Sequence, residues 1–223
     1  MPKTLTFLCS LILLTSLFIL TDWKNHKKEA GPEENFTVSF EPGNAFEETS
    51  AQNEYFIVSL KTKSGKPINL SGWSVSLNGD QRLKLPEATK EFKQGDINEL
   101  EEIVIAEESQ LFITTGASPV GVSFGENRCI GLLSKYQNFT PALPPAPLGY
   151  ESYNLCLTER KNEKNFLSNR WRIYLGFQNE MWNGPGEIIT LLDENGQELI
   201  RLEPPPRPIS ELVKKIFVNL KSF

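Results

Sequence analysis

Apolar and polar residues alternate repeatedly along residues 36–113, which is the period of a half-buried strand. Phe36, Val38 and Phe40 share one face, with Thr37 and Ser39 on the other. Phe56, Val58 and Leu60 repeat the pattern, and so do Trp73, Val75 and Leu77. Asn78-Gly79-Asp80 is a hairpin signal, and it predicts a returning strand over 82–85. Ile103-Val104-Ile105 and Leu111-Phe112-Ile113 are two further apolar runs, separated by Glu107-Glu108-Ser109. Residues 41–53, with Pro42-Gly43, read as a loop. The stretch Pro67-Ile68-Asn69-Leu70-Ser71-Gly72-Trp73 organises the set: it turns the chain at Gly72 and puts Leu70 and Trp73 between two sheets. Short strands, frequent turns and no helical period predict an all-β sandwich.

The later part of the chain continues the theme. Trp171, Ile173 and Leu175 alternate like a buried strand face. Two apolar runs flank Asp193-Glu194-Asn195-Gly196 within residues 188–200, where the tight-turn reading of Asn-Gly outweighs a calcium loop that lacks the full ligand spacing.

Leu60, the turn from Pro67 to Trp73, the run Ser109-Gln110-Leu111-Phe112-Ile113-Thr114-Thr115-Gly116 and the closing hairpin over 188–200 together resemble the lamin-tail domain. The resemblance covers about residues 36–202. It implies an immunoglobulin-like β-sandwich, here a domain over 36–203 with a long insertion at about 117–186. Ser59 and Thr62 stand where that family often carries Glu and Asn, so no role is transferred to them. The insertion, with its Pro-rich stretch over 141–147, resembles one found in membrane-anchored bacterial proteins bearing this domain. Nucleic-acid binding is implied only by analogy with lamin tails.

The ends of the chain differ in character. Residues 4–21 carry no charge. As a helix they span about 27 Å at about 1.5 Å per residue, close to the roughly 30 Å of a hydrocarbon core. Trp23 suits a membrane interface, and no Ala-x-Ala cleavage pattern follows. Residues 1–23 are therefore expected to be a signal anchor or transmembrane helix; a cleaved signal peptide and a core helix are the alternatives. Lys24, Lys27 and Lys28 favour a cytoplasmic flank, whereas an N-terminal anchor on an exportable domain favours the outside. The expectation adopted is a membrane-anchored, extracytoplasmic domain, with secretion after cleavage as the alternative. Residues 24–35 read as a linker. Within 204–223, Pro204-Pro205-Pro206-Arg207-Pro208 is a stiff spacer before a short amphipathic helix. Ser210 is its expected N-cap, and Ile209, Leu212, Val213, Ile216, Phe217 and Leu220 form its apolar face. That face has three possible destinations: its own domain, an anionic membrane or a partner.

Composition narrows the chemistry. The net charge of -5 argues against a non-specific nucleic-acid binder. The single histidine, His26, adjoins the N-terminal apolar segment, which leaves the globular part without a Ser-His or Cys-His pair or a multi-histidine metal site. No cofactor and no metal are expected. Cys9, Cys129 and Cys156 match no zinc spacing. Cys129 and Cys156 are expected to form a disulfide, two buried thiols being the alternative. Trp182, between Met181 and Asn183-Gly184-Pro185-Gly186, is the candidate exposed aromatic, and with Arg170 and Arg172 it makes the candidate binding surface. Glu101-Glu102 and Glu107-Glu108 are expected to face solvent beside strands. The function expected is a non-enzymatic, membrane-anchored binding or scaffolding module of the cell envelope, whose partner is a protein or an envelope polymer. The alternative is a hydrolase of such polymers using carboxylates in the insertion.

Overall fold

The computed structural model describes residues 36–63, 65–77, 81–182 and 186–204. The expected anchor, linker and C-terminal helix lie outside them. Among the described residues no helix is long and apolar enough to cross a membrane.

The chain folds mostly as β-structure in two main sheets. The larger is built from β1 (Phe36–Glu41), β2 (Tyr55–Thr62), β6 (Ala88–Thr89), β8 (Ser109–Thr114), β9 (Ser123–Asn127) and β10 (Leu167–Tyr174), in the order β1-β2-β8-β10-β9-β6. The smaller holds β4 (Ser74–Leu77), β5 (Gln81–Lys84), β11 (Ile189–Leu192) and β12 (Glu198–Leu202), in the order β12-β11-β4-β5. A short ladder joins β3 (Ile68–Asn69) to β7 (Val104–Ile105). All pairs in the smaller sheet are antiparallel. In the larger one β8 and β10 run parallel, as do β6 and β9.

The alternation seen in the sequence is the reason these strands pack. Phe56, Val58 and Leu60 of β2, Leu111 and Ile113 of β8, and Trp171 and Ile173 of β10 present one face of the larger sheet. Val75, Ile189 and Leu191 meet them from the smaller sheet, and all of these residues are buried in one core. Trp73 and Leu70 sit in that core, and the Trp73 ring lies 5.5 Å from the ring of Phe36. The local turn explains how they get there. Asn69 Oδ1 accepts from Ser71 N–H, and Gly72 takes φ +79°, a conformation that costs a side-chain-bearing residue more.

Residues 117–186 are woven into the architecture. They supply β9 and β10, and β10 lies in the middle of the larger sheet. They also contribute a 3-10 helix, Ile130–Lys135, and one α-helix, α1 (Tyr153–Arg160), neither of which the strand-like reading of the chain anticipates. Ser152 caps α1, its Oγ accepting from Leu155 N–H. These pieces build a second core on the opposite face of the β9–β10 half of the sheet. Phe124, Ile130, Leu132, Leu133, Tyr153 and Tyr174 are among its buried members. Cys129 and Cys156 form a disulfide inside it, tying the start of the 3-10 helix to α1. The Pro-rich stretch lies so close over Gly131 that a Cβ there would collide with Pro144 O and Ala146 N.

Replacing Trp73 with Ala is expected to cost about 3–5 kcal/mol, because its large volume cannot be refilled by collapse between two sheets. Chemical denaturation measures this, and an unchanged midpoint would contradict the packing.

Candidate functional site

Two of the three residues expected on a binding surface are not on the surface. Trp182 is fully buried. Its ring stands edge-on to Phe56 at 5.1 Å, inside the main core. The cause is Glu54, which is itself buried just before β2. The Glu54 carboxylate accepts from Met181 N–H at 2.8 Å, from Trp182 N–H at 2.8 Å and from the Thr115 hydroxyl. A buried carboxylate needs several donors, and holding these two amides turns the indole inward. Burial, the largest influence, pushes the Glu54 carboxyl above the ordinary carboxylate value; the bonds from Thr115, Trp182 and Met181 oppose it.

Arg172 is also fully buried. Its position in β10 alternates with Trp171 and Ile173, so it points to the opposite face of the sheet, under the second core. There its Nε donates to Glu126 Oε1 of β9 at 2.6 Å. Nη1 donates to Pro141 O and Nη2 to Ala142 O, which fastens the Pro-rich stretch to the sheet. The guanidinium also lies 4.7 Å from the centre of the Phe112 ring. Arg170 remains partly exposed; it stands over the same ring at 4.6 Å and within 3.3 Å of Glu126 Oε2. Arg172 thus clamps the larger sheet to the Pro-rich stretch, with Arg170 beside it on Glu126. Glu54 and Glu126 carry no sequence signal of their own, because their partners are distant along the chain.

The second core contains another polar relay. Tyr153 Oη donates to Phe92 O and accepts from Asn127 Nδ2, while Asn127 Oδ1 accepts from Cys129 N–H. Burial is the main reason that the Tyr153 phenol is pushed up to about 12.

The carboxylates singled out in the sequence have structural or solvent-facing roles. Glu102 accepts from Asn69 Nδ2, Glu108 pairs with Lys61 at an exposed site, and the Glu101 backbone bridges to Ala88. Asp193 Oδ1 accepts from Asn195 and Gln197 N–H and so holds the β11–β12 turn. Among the described residues no group of three or more side chains could hold a metal ion.

What the fold leaves concave is a groove of about 430 Å³ on the face of the smaller sheet turned away from the main core. Register explains its floor. Arg82, Ser76, Thr190 and Arg201 pair in sequence across β5, β4, β11 and β12, so all four fall on one face. Ile188, Leu192, Glu198 and Gly186 complete the lining. Ser76 and Thr190 are buried beneath longer side chains, whereas Arg82 is exposed. Glu198 is engaged by Arg201 at 2.8 Å. A second hollow of about 490 Å³ lies between residues 89–101 and Leu167. It mixes Lys90 and Lys93 with Glu91, Glu99 and Glu101, and Asn98 there bonds the backbone of its own loop. Its lining holds two lysines against three glutamates, a slight acidic excess, whereas the first groove holds two arginines against one glutamate. The first groove is therefore the candidate site.

The chain matches no protein-family model and no curated protein sequence.

Two outcomes are expected. Glu126→Ala should cost about 3–5 kcal/mol, since it leaves the buried Arg172 charge uncompensated, and Arg172→Ala should cost less, since Arg170 stays within 3.3 Å of Glu126. The double variant should cost less than the sum, as a double-mutant cycle measures. The second outcome concerns pH. With its carboxyl above the unfolded value of about 4.3, the folded state holds the Glu54 proton more tightly, so stability falls as pH rises from that value through the raised one. The stability of the wild type relative to Glu54→Gln should therefore decline with rising pH across that window. A pH-independent difference in denaturation free energy would contradict it.

Proposed function

We propose that this protein is a non-catalytic binding or scaffolding module of the cell envelope. On this reading its β-sandwich is immunoglobulin-like and related to the lamin tail, residues 4–21 anchor it, and the domain faces the extracytoplasmic side. The observation that carries the reading is the Cys129–Cys156 disulfide, buried in the second core. Such bonds persist in oxidising compartments and are rare where thiols are kept reduced. An uncharged N-terminal segment of membrane-spanning length accords with the same side of a membrane.

The binding role is supported by the groove on the smaller sheet, which is floored by rigid strands and edged by arginines. Its partner on this reading is an envelope polymer. The hydrolase alternative calls on carboxylates within the insertion. There, Glu126 is committed to Arg172 and Arg170, and Glu163 to Arg160 and Arg128. Those two carboxylates of the segment are taken up by ion pairs, which favours the binding reading.

Topology and thiol state test it together. In intact cells the chain should fractionate with membranes, and protease added outside should reach the domain. The unreduced, unfolded protein should show no reactive thiol at Cys129 or Cys156. Paired Cys129→Ser and Cys156→Ser substitutions should lower stability by about 3–4 kcal/mol. A domain protected from external protease, or two labelled thiols at these positions, would overturn the assignment.

A further inference from the structure

Two donors in the groove have no acceptor. Ser76 Oγ is buried, lines the groove, and has no hydrogen-bond partner among the described residues. Arg82, directly opposite it in register, makes no hydrogen bond or ion pair among the described residues. The carboxylate in the lining, Glu198, is already engaged by Arg201, so it does not neutralise Arg82. The Arg82 guanidinium is exposed and has a close backbone neighbour. It lies against Gly196 in the β11–β12 turn, so closely that a Cβ on Gly196 would collide with Nη1. A guanidinium carries only donors, and a buried hydroxyl without a partner is a cost that an alanine would remove. Both groups are converted from liabilities to contacts by one kind of ligand: an oxygen-rich anion seated between them.

We infer that the groove is an oxyanion site in which Arg82 supplies the charge and Ser76 a second hydrogen bond to a phosphate or carboxylate group of an anionic polymer. This rests on the binding reading above and names its ligand class. The net charge of the protein is -5, so non-specific attraction does not favour such a ligand, and recognition has to come from this locally unpaired cation. Charge-assisted bonds from a guanidinium are the stronger kind. Contact at an open groove is expected to weaken as salt rises.

The test uses the full chain in detergent with two probes, inorganic polyphosphate and polygalacturonate, titrated at low salt. Saturable binding of at least one probe is expected, and the preferred probe tells phosphate from carboxylate. Arg82→Gln should weaken that binding about ten- to hundredfold, and Ser76→Ala about three- to tenfold. Arg128→Gln, at an exposed pair away from the groove, should change it less than about twofold. Ser76→Ala should also leave the denaturation midpoint unchanged or raise it, a combination that a purely structural serine does not give. The site is overturned if neither probe saturates, if Arg82→Gln binds like the wild type, or if Arg128→Gln loses as much. These results are independent of the protease test. Loss of binding with the domain outside removes this site alone, whereas a domain on the cytoplasmic side removes the envelope reading and leaves the measured affinity standing.

Discussion

A guanidinium shut away from water holds the two halves of this protein together. Arg172 stands in the middle of the larger sheet, with the sandwich core on one face of its strand and the insertion's core on the other. A buried cation persists only when its hydrogen bonds and countercharge are complete. Glu126, the carbonyls of Pro141 and Ala142, and the face of Phe112 meet that need. Each partner comes from a different piece of chain, so satisfying one side chain fixes β9, the Pro-rich stretch and β8 relative to β10. The Cys129–Cys156 bond then closes the layer that this arrangement supports.

The sandwich strands were legible because their burial is one-sided. Period-two alternation is the direct trace of a strand with one wet face, and Phe36 to Phe40 and Phe56 to Leu60 carry it; Val75-Ser76-Leu77 alternates in sequence, although Ser76 is buried as well. Residues 117–186 hide the same information. All of β9 is buried, yet its sequence Ser-Phe-Gly-Glu-Asn is mostly polar, because Glu126 and Asn127 find partners in Arg172 and Tyr153. A local pattern cannot reveal a burial that depends on residues tens of positions away. Trp182 and Arg172 were placed outside for the same reason: turn-rich or charged surroundings suggest water, and the carboxylates that draw them inward are remote. Helix α1 was missed, although Tyr153, Cys156 and Leu157 follow helical spacing behind the Ser152 cap.

The candidate groove had no motif. It exists because four strands bring Arg82, Ser76, Thr190 and Arg201 into one cross-strand row, a relation set by pairing register and not by sequence proximity. Over the β9–β10 half of the larger sheet the second core covers the outer face. Coverage of one sheet therefore leaves the other as the face with a polar floor open to a ligand.

The parallel pairing of β8 and β10 sets the order in which the molecule can be completed. Parallel neighbours cannot be joined by a tight turn, so the chain leaves β8 after Thr114, joins the same sheet first as β9 (Ser123–Asn127), and reaches the free edge of β8 only with β10 (Leu167–Tyr174). As the polypeptide emerges from its N-terminus, β1, β2 and β8 can assemble early, but β8 remains an unpaired edge until the last third of the chain arrives. An exposed edge strand is an invitation to pair with another chain. The intervening segment is thus a timing element as well as a packing one: until β10 has followed it, β8 lacks its second neighbour.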